Sequence, residues 1–259
     1  MSLLTSLKRS ALWQPFARLY QRSGLKAKVY SRAWTPPVRS VSQAQAFALF
    51  GLTPKPHQPS PAFAPPIKAN CGPMPPEDAD FLARFVAAYH PKRAFEFGTN
   101  WGVSTTVLAA NSPVDSKIWT LDVHRHMFDE AALKADPELQ MILMEEHTGW
   151  HYKTVPELAA KVTQIFADSM KFDMAVTFDE SANFDLVLVD ACHKYEFIQR
   201  DTENALKRLA PGACVLWHDY YPQVNSWIDV FRYLNDLART LPGIIHVEGT
   251  QLALWKKPG

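Results

Sequence analysis

The sequence predicts an α/β fold: a mostly parallel open sheet with helices on both faces and an antiparallel C-terminal edge strand. Three observations carry this. Short apolar runs alternate with segments whose apolar residues recur at helical spacing, the pattern of a parallel sheet covered on both sides. Polar residues and glycines follow several of those runs directly, where open α/β sheets bind their ligands. The last two apolar runs are parted only by Gly249-Thr250, which reads as a hairpin and so sets one strand against the rest.

Pro75-Pro-Glu-Asp opens a helix, with acids in its first turn where the helix dipole favours them. Phe81, Leu82, Phe85, Val86 and Tyr89 then recur at helical spacing. Strands are expected at 94–97, 118–123, 162–166, 186–189, 214–217, 244–248 and 252–255, with helices at 104–111, 195–209 and 224–241. Residues 124–160 interrupt this rhythm, too long for an ordinary connection, so they are functional or contain helices of their own.

A composition boundary lies near residue 77. Residues 1–76 carry ten Lys/Arg, twelve of the twenty prolines and no acid, leaving 17 basic against 26 acidic residues in the remainder. This divides the chain into a basic, proline-rich extension, 1–76, and a domain, 77–259. A short helix near 42–50 is compatible with the extension; beyond it an extended strap is expected. Three cysteines without a CxxC pair point to a reducing, cytoplasmic compartment. No apolar run approaches the ~20 residues of a membrane helix.

The cofactor signal is Glu96-x-Gly98-Thr99-x-x-Gly102, which follows a strand and opens a helix at Ser104. Glycines allow a tight turn and close approach, and a helix N-terminus offers free N–H groups. The spacing differs from the pyrophosphate-binding Gly-x-Gly-x-x-Gly, so the ligand is expected to lack a diphosphate. Alone, it equally describes an ordinary strand–helix turn. Asp122 ends the next strand, where a carboxylate can accept two ribose hydroxyls, and Asp168 follows the third, in reach of an adenine amino group. Either acid also reads as a turn or cap residue.

With these positions in order, residues 77–259 resemble the class I S-adenosylmethionine-dependent methyltransferases, whose fold is Rossmann-like. The resemblance implies Glu96, Gly98, Thr99 and Gly102 around the methionine portion, Asp122 on the ribose and Asp168 at the adenine end.

Asp190-Ala-Cys-His193-Lys-Tyr195, then Asp201, Leu209-Ala-Pro-Gly212 and His218-Asp219, resemble a subgroup that includes metal-dependent sugar and antibiotic O-methyltransferases. That resemblance implies Asp190 and Asp219 as ligands of a divalent cation, Mg first, and His193 as catalytic base. A cation lowers a hydroxyl's pKa and an imidazole accepts its proton near neutrality. His218 stands where relatives commonly have a second carboxylate. As a ligand it would favour a transition metal; otherwise it contacts substrate or orients the ligands. Read singly, Asp190 is a strand-end acid, Asp219 a cap and His193 a turn histidine. Cys192 reads as a packing residue. His147 and His151, at i and i+4, fit solvent exposure or a substrate contact better than a metal site.

The expected activity is O-methylation of a sugar, glycan or glycosylated metabolite, with a small phenolic acceptor next. A non-catalytic binding or membrane-adaptor protein on the same scaffold is the alternative from another class. No nucleic-acid partner is expected: the basic charge lies outside the domain, and no Asn/Asp-Pro-Pro-Tyr type loop follows the fourth strand. Met1–Trp34 mixes apolar and basic residues. It fits an arm packed on the acidic domain or on another copy of the chain, or a membrane-surface anchor, ahead of an organelle transit peptide or nucleic-acid contact.

Overall fold

The computed structural model describes residues 37–59, 74–129, 131, 147–179, 181–221 and 229–259. Met1–Trp34, and Cys71 with the proline-rich stretch around it, lie outside the described residues, as do 224–228 of the helix expected at 224–241.

The described residues begin with β1 (Arg39–Val41) and α1 (Gln43–Leu49), followed by α2 (Pro76–Tyr89), β2 (Arg93–Phe97), α3 (Val103–Asn111) and β3 (Lys117–Asp122). Two short helices, α4 (Trp150–Lys153) and α5 (Pro156–Ala159), precede β4 (Val162–Phe166), α6 (Met174–Thr177) and β5 (Phe184–Val189). Then come α7 (Tyr195–Lys207), β6 (Leu209–Trp217), α8 (Val230–Leu237), β7 (Ile245–Val247) and β8 (Ala253–Lys256). One sheet of eight strands results, ordered β1-β7-β8-β6-β5-β2-β3-β4.

All pairings are parallel except those of β8, which runs antiparallel to both β6 and β7. The antiparallel C-terminal strand is present as expected. It sits inside β7, and β1 lies outermost. That last strand is a contribution from the proline-rich part of the chain, pairing Arg39–Val41 with Ile245–Val247.

The sheet is buried on both faces because its central strands are apolar throughout. Along β5, Leu186 and Leu188 join one core with Phe47, Phe81, Phe85 and Leu108 from α1, α2 and α3. Val187 and Val189 join the other with Phe95, Phe97, Trp217, Ile198 and Leu234. Alternation of side chains along a strand makes this division unavoidable. β2 follows it too, sending Phe95 and Phe97 to the second core, which leaves Glu96 on the α3 face. α1 begins with a reciprocal cap, Ser42 Oγ accepting from Gln45 N and Gln45 Oε1 from Ser42 N.

α2 starts on Pro76 and stops at His90, whose left-handed φ of 58° ends the helix. Residues 124–160 do contain helices, α4 and α5, beside a 3-10 turn at Arg125–Met127. Among the described residues no helix is long and apolar enough to cross a membrane.

Candidate active site

Parallel strands β2, β3, β5 and β6 end together, so the residues following them meet at one edge of the sheet. The glycine loop follows β2. Gly98 has φ +93°, and a Cβ there would stand 2.1 Å from the Asp190 carbonyl oxygen and 2.8 Å from Ala191 Cα. Its glycine is therefore required by the backbone leaving β5, and not only by a ligand. Gly102, φ +77°, abuts Gly149 Cα at 2.8 Å by the same construction. Residues 147–153 close on the loop: Gly149 N donates to Asn100 O (2.8 Å) and His151 N to Trp101 O (3.0 Å).

His147 packs edge-on against Trp101, with ring centres 4.7 Å apart, and His151 is buried. Of the two expectations for that pair, solvent exposure or a substrate contact, exposure does not describe His151: the loop takes up its backbone and Trp101 packs on the segment.

Asp122 braces the same loop. Its Oδ2 accepts from Thr99 N (3.0 Å) and Asn100 N (2.7 Å), its Oδ1 from Val123 N (2.7 Å). Burial raises this carboxyl above its ordinary value against the pull of the three amides. Ribose binding would have to use the remaining lone pairs.

Glu96 is fully buried, and Oε2 accepts from Thr105 Oγ1 (2.5 Å) and Thr120 Oγ1 (2.6 Å). Its Oε1 has no hydrogen-bond partner among the described residues. Burial pushes the carboxyl up to about 7, opposed by hydrogen bonds from Ser104, Thr105 and Thr120. The chain Tyr152 Oη to Gln164 Oε1 (3.0 Å), Gln164 Nε2 to Thr99 Oγ1 (2.9 Å) and Thr99 Oγ1 to Thr120 Oγ1 (2.7 Å) ends on this carboxyl. Because Gln164 can only donate through Nε2 and Glu96 accepts, every hydroxyl in the chain points toward Glu96. The orphaned Oε1 suits a donor such as an amino group of a ligand on the loop, so the residues present fit the cofactor that the resemblance implies.

Asp168 lies farther out, beyond β4, whose Phe166 pairs with Asp122. Its Oδ1 accepts from Met170 N (3.0 Å), and Lys171 Nζ is 3.4 Å from Oδ2. Neither contact joins it to the loop. Behind it Asp201 is buried and pushed up to about 7 by that burial, a shift opposed by Ser169 and Arg200.

Asp190, His193, His218 and Asp219 converge. Asp190 N and His218 N continue the sheet by donating to Phe97 O (2.9 Å) and Val189 O (3.1 Å). His193 Nε2 lies 2.6 Å from Asp219 Oδ2. His218 is buried: Nδ1 is 3.0 Å from Asp190 Oδ1 and 3.3 Å from Asp219 Oδ2, while Nε2 is 2.9 Å from Asp78 Oδ2. Burial alone would lower this imidazole's pKa; the carboxylates of Asp190, Asp219 and Asp78 outweigh it and hold the pKa well above the usual histidine value. Burial would raise Asp219, but His193 and His218 bring it well below the carboxylate range. Asp219 also adopts φ +59°, a left-handed conformation uncommon outside glycine.

The ligand atoms of Asp190, His193 and Asp219 all lie within 4.8 Å of one another, a donor set able to hold a divalent cation. His218 is brought to the same place, with both its nitrogens facing carboxylates, the arrangement of a residue that orients the ligands.

Asp78 is the residue the sequence reading missed. Its place in the first turn of α2 suits a dipole-facing acid, yet it falls three, four and seven residues before Phe81, Leu82 and Phe85, on the apolar face of the helix. That position was the signal.

Residues 95–220 match the family model described as a methyltransferase domain. No curated protein matches the sequence. Among solved structures, the O-methyltransferase TomG from Streptomyces achromogenes, involved in tomaymycin synthesis and solved with S-adenosylmethionine, is similar at 16% identity and a TM-score of 0.51, over 91% of this chain and 96% of that one. An O-methyltransferase from Bacillus cereus bound to S-adenosylhomocysteine gives 14% identity and a TM-score of 0.49, over 89% and 95%. The domain match and the strand order that places the glycine loop beside the ends of β5 and β6 agree: residues 95–220 form a methyltransferase domain, and the chain shares the fold of the S-adenosylmethionine-bound TomG.

Proposed function

We propose that the chain transfers the methyl group of S-adenosylmethionine to a hydroxyl oxygen of a small acceptor, a sugar, glycan or glycosylated metabolite. The carrying observation is the His193–Asp219 pair, 2.6 Å apart and next to Asp190, whose backbone packs on the glycine loop at Gly98. TomG, which shares the fold, is named an O-methyltransferase. In the reaction the acceptor oxygen bonds to the methyl carbon as the sulfur–carbon bond breaks, and the hydroxyl proton must leave. With the ring directed at Asp219, His193 takes that proton, and Asp219 stabilises the imidazolium that forms. The loop's part is placement of the methyl group in line.

Asp190 and Asp219, with the His193 ring at hand, are the residues that would hold a divalent cation, which would lower the pKa of a hydroxyl beside it. His193 serves a cation or a proton, one at a time. The test is methyl transfer from labelled cofactor into fractionated extract and defined glycosides, with and without chelator and with metal add-back. Activity restored only by metal supports the cation. Full activity in chelator leaves the His193–Asp219 pair as the whole base. No transfer to any hydroxyl acceptor refutes the proposal.

A further inference from the structure

Asp78 is 1% exposed, and its two oxygens serve different elements. Oδ1 accepts from Gln251 N (2.9 Å) in the turn between β7 and β8, and Oδ2 meets His218 Nε2 (2.9 Å). Across the imidazole, Nδ1 meets Asp190 and Asp219. One ring thus spans three carboxylates from α2 and from the ends of β5 and β6. Two carboxylates so placed repel each other unless a donor or cation lies between them. The ring is that donor, and Asp78 fixes its far edge.

We propose that Asp78 is a positioning residue of the active site, holding His218 so that its ring keeps the carboxylates of Asp190 and Asp219 together at the strand ends. This rests on the function proposed for those two residues and extends the site to α2, 112 residues upstream of Asp190. Partners one step behind a functional group typically change activity about 10–100-fold when removed.

The ring resonances of His193 report on Asp219, its neighbour at 2.6 Å. The full chain is labelled with 15N-histidine, and spectra of His193→Ala and His218→Gln supply the assignments. Asp78→Ala is expected to shift the His193 signals, leave the S-adenosylhomocysteine Kd within about twofold, and lower turnover roughly 10–100-fold. Tyr89→Phe removes hydroxyl bonds to Asp185 O and Gly212 O at the other end of α2, and should leave His193 in place. If Asp78→Ala does not fold, Asp78→Asn, which keeps the shape, should give a smaller shift in the same direction.

His193 signals unmoved in a folded Asp78 variant overturn the proposal whatever the turnover. An equal shift in Tyr89→Phe overturns it as well, since a general loosening of α2 would then suffice. Absence of methyl transfer by the wild type would refute the proposed function and leave the spectra to decide on Asp78.

Discussion

Gly98→Ala should damage the chain far more than the addition of one methyl group suggests. The new Cβ would lie 2.1 Å from Asp190 O and 2.6 Å from its carbonyl carbon, distances at which something has to shift. The obstacle is backbone, so no side chain can swing aside. A φ of +93° adds strain of roughly 1–2 kcal/mol for a residue with a Cβ, and overpacking adds about 1–3 kcal/mol. Gly212→Ala is the matched control: φ is +75°, but nothing lies within 4 Å, so only the strain applies. The expected order in urea unfolding is Gly98→Ala below Gly212→Ala by about 1–3 kcal/mol. If the 190–191 backbone yields instead, Asp190 moves by roughly 1 Å, a misplacement that costs on the order of 10²-fold in turnover. Equal stabilities for the two variants, with turnover retained in Gly98→Ala, would refute the reasoning. A weakened cofactor affinity with stability and turnover per bound cofactor intact would return Gly98 to a pure ligand-contact role.

His193→Ala should lower turnover roughly 10²–10⁴-fold while calorimetry finds S-adenosylhomocysteine binding intact; unchanged chemistry-limited turnover removes the base. Asp219→Asn should fold, because asparagine tolerates the left-handed φ of +59°, but should lose turnover and any metal response in a chelator titration. Glu96, raised to about 7 by burial, keeps in the folded chain a proton that the unfolded chain releases near its ordinary carboxylate pKa. Its contribution is therefore present at pH 4.5 and lost as pH rises toward 7, by roughly 3 kcal/mol at about 1.4 kcal/mol per unit. Urea midpoints of the cofactor-free chain should fall over that window, and Glu96→Gln should flatten the fall; parallel curves for the two proteins count against it.

The strands were legible because Asp185-Leu-Val-Leu-Val189 and Cys214-Val-Leu-Trp217 are apolar on both faces, which a parallel sheet requires. The order of polar residues at strand ends was legible for the same reason: each interrupts a buried run. β1 was not, since Arg39-Ser-Val41 has no apolar run of its own and gains its strand from pairing with β7. His218 could be placed from sequence, but the partner of its Nε2 could not, because Asp78 lies 140 residues away. At Asp122 the sequence offers a ribose contact or a turn residue, while its loop-bracing bonds depend on how Thr99 and Asn100 turn back toward β3. At Gly98 it offers a ligand or an ordinary turn, and only the path of residues 190–191 shows what else stands there.

The position of β1 changes how the N-terminal segment has to be studied. A vesicle-sedimentation comparison would naturally remove everything before about residue 42, to ask whether the basic stretch Met1–Gln21 attaches to anionic lipid. That cut would strip β7 of its neighbour and bare the edge of Ile245–Val247, a row of unpaired amides and carbonyls flanked by apolar side chains. It would also take away Val38, buried in one core and tied through its N–H to Asn235 Oδ1 at 3.2 Å. Such a shortened chain would tend to self-associate through the bared edge, and pelleting would then report strand pairing between copies instead of lipid affinity. A chain beginning at Ser31 avoids this: it keeps the edge covered while discarding the basic stretch, and its sedimentation with and without vesicles separates the two causes.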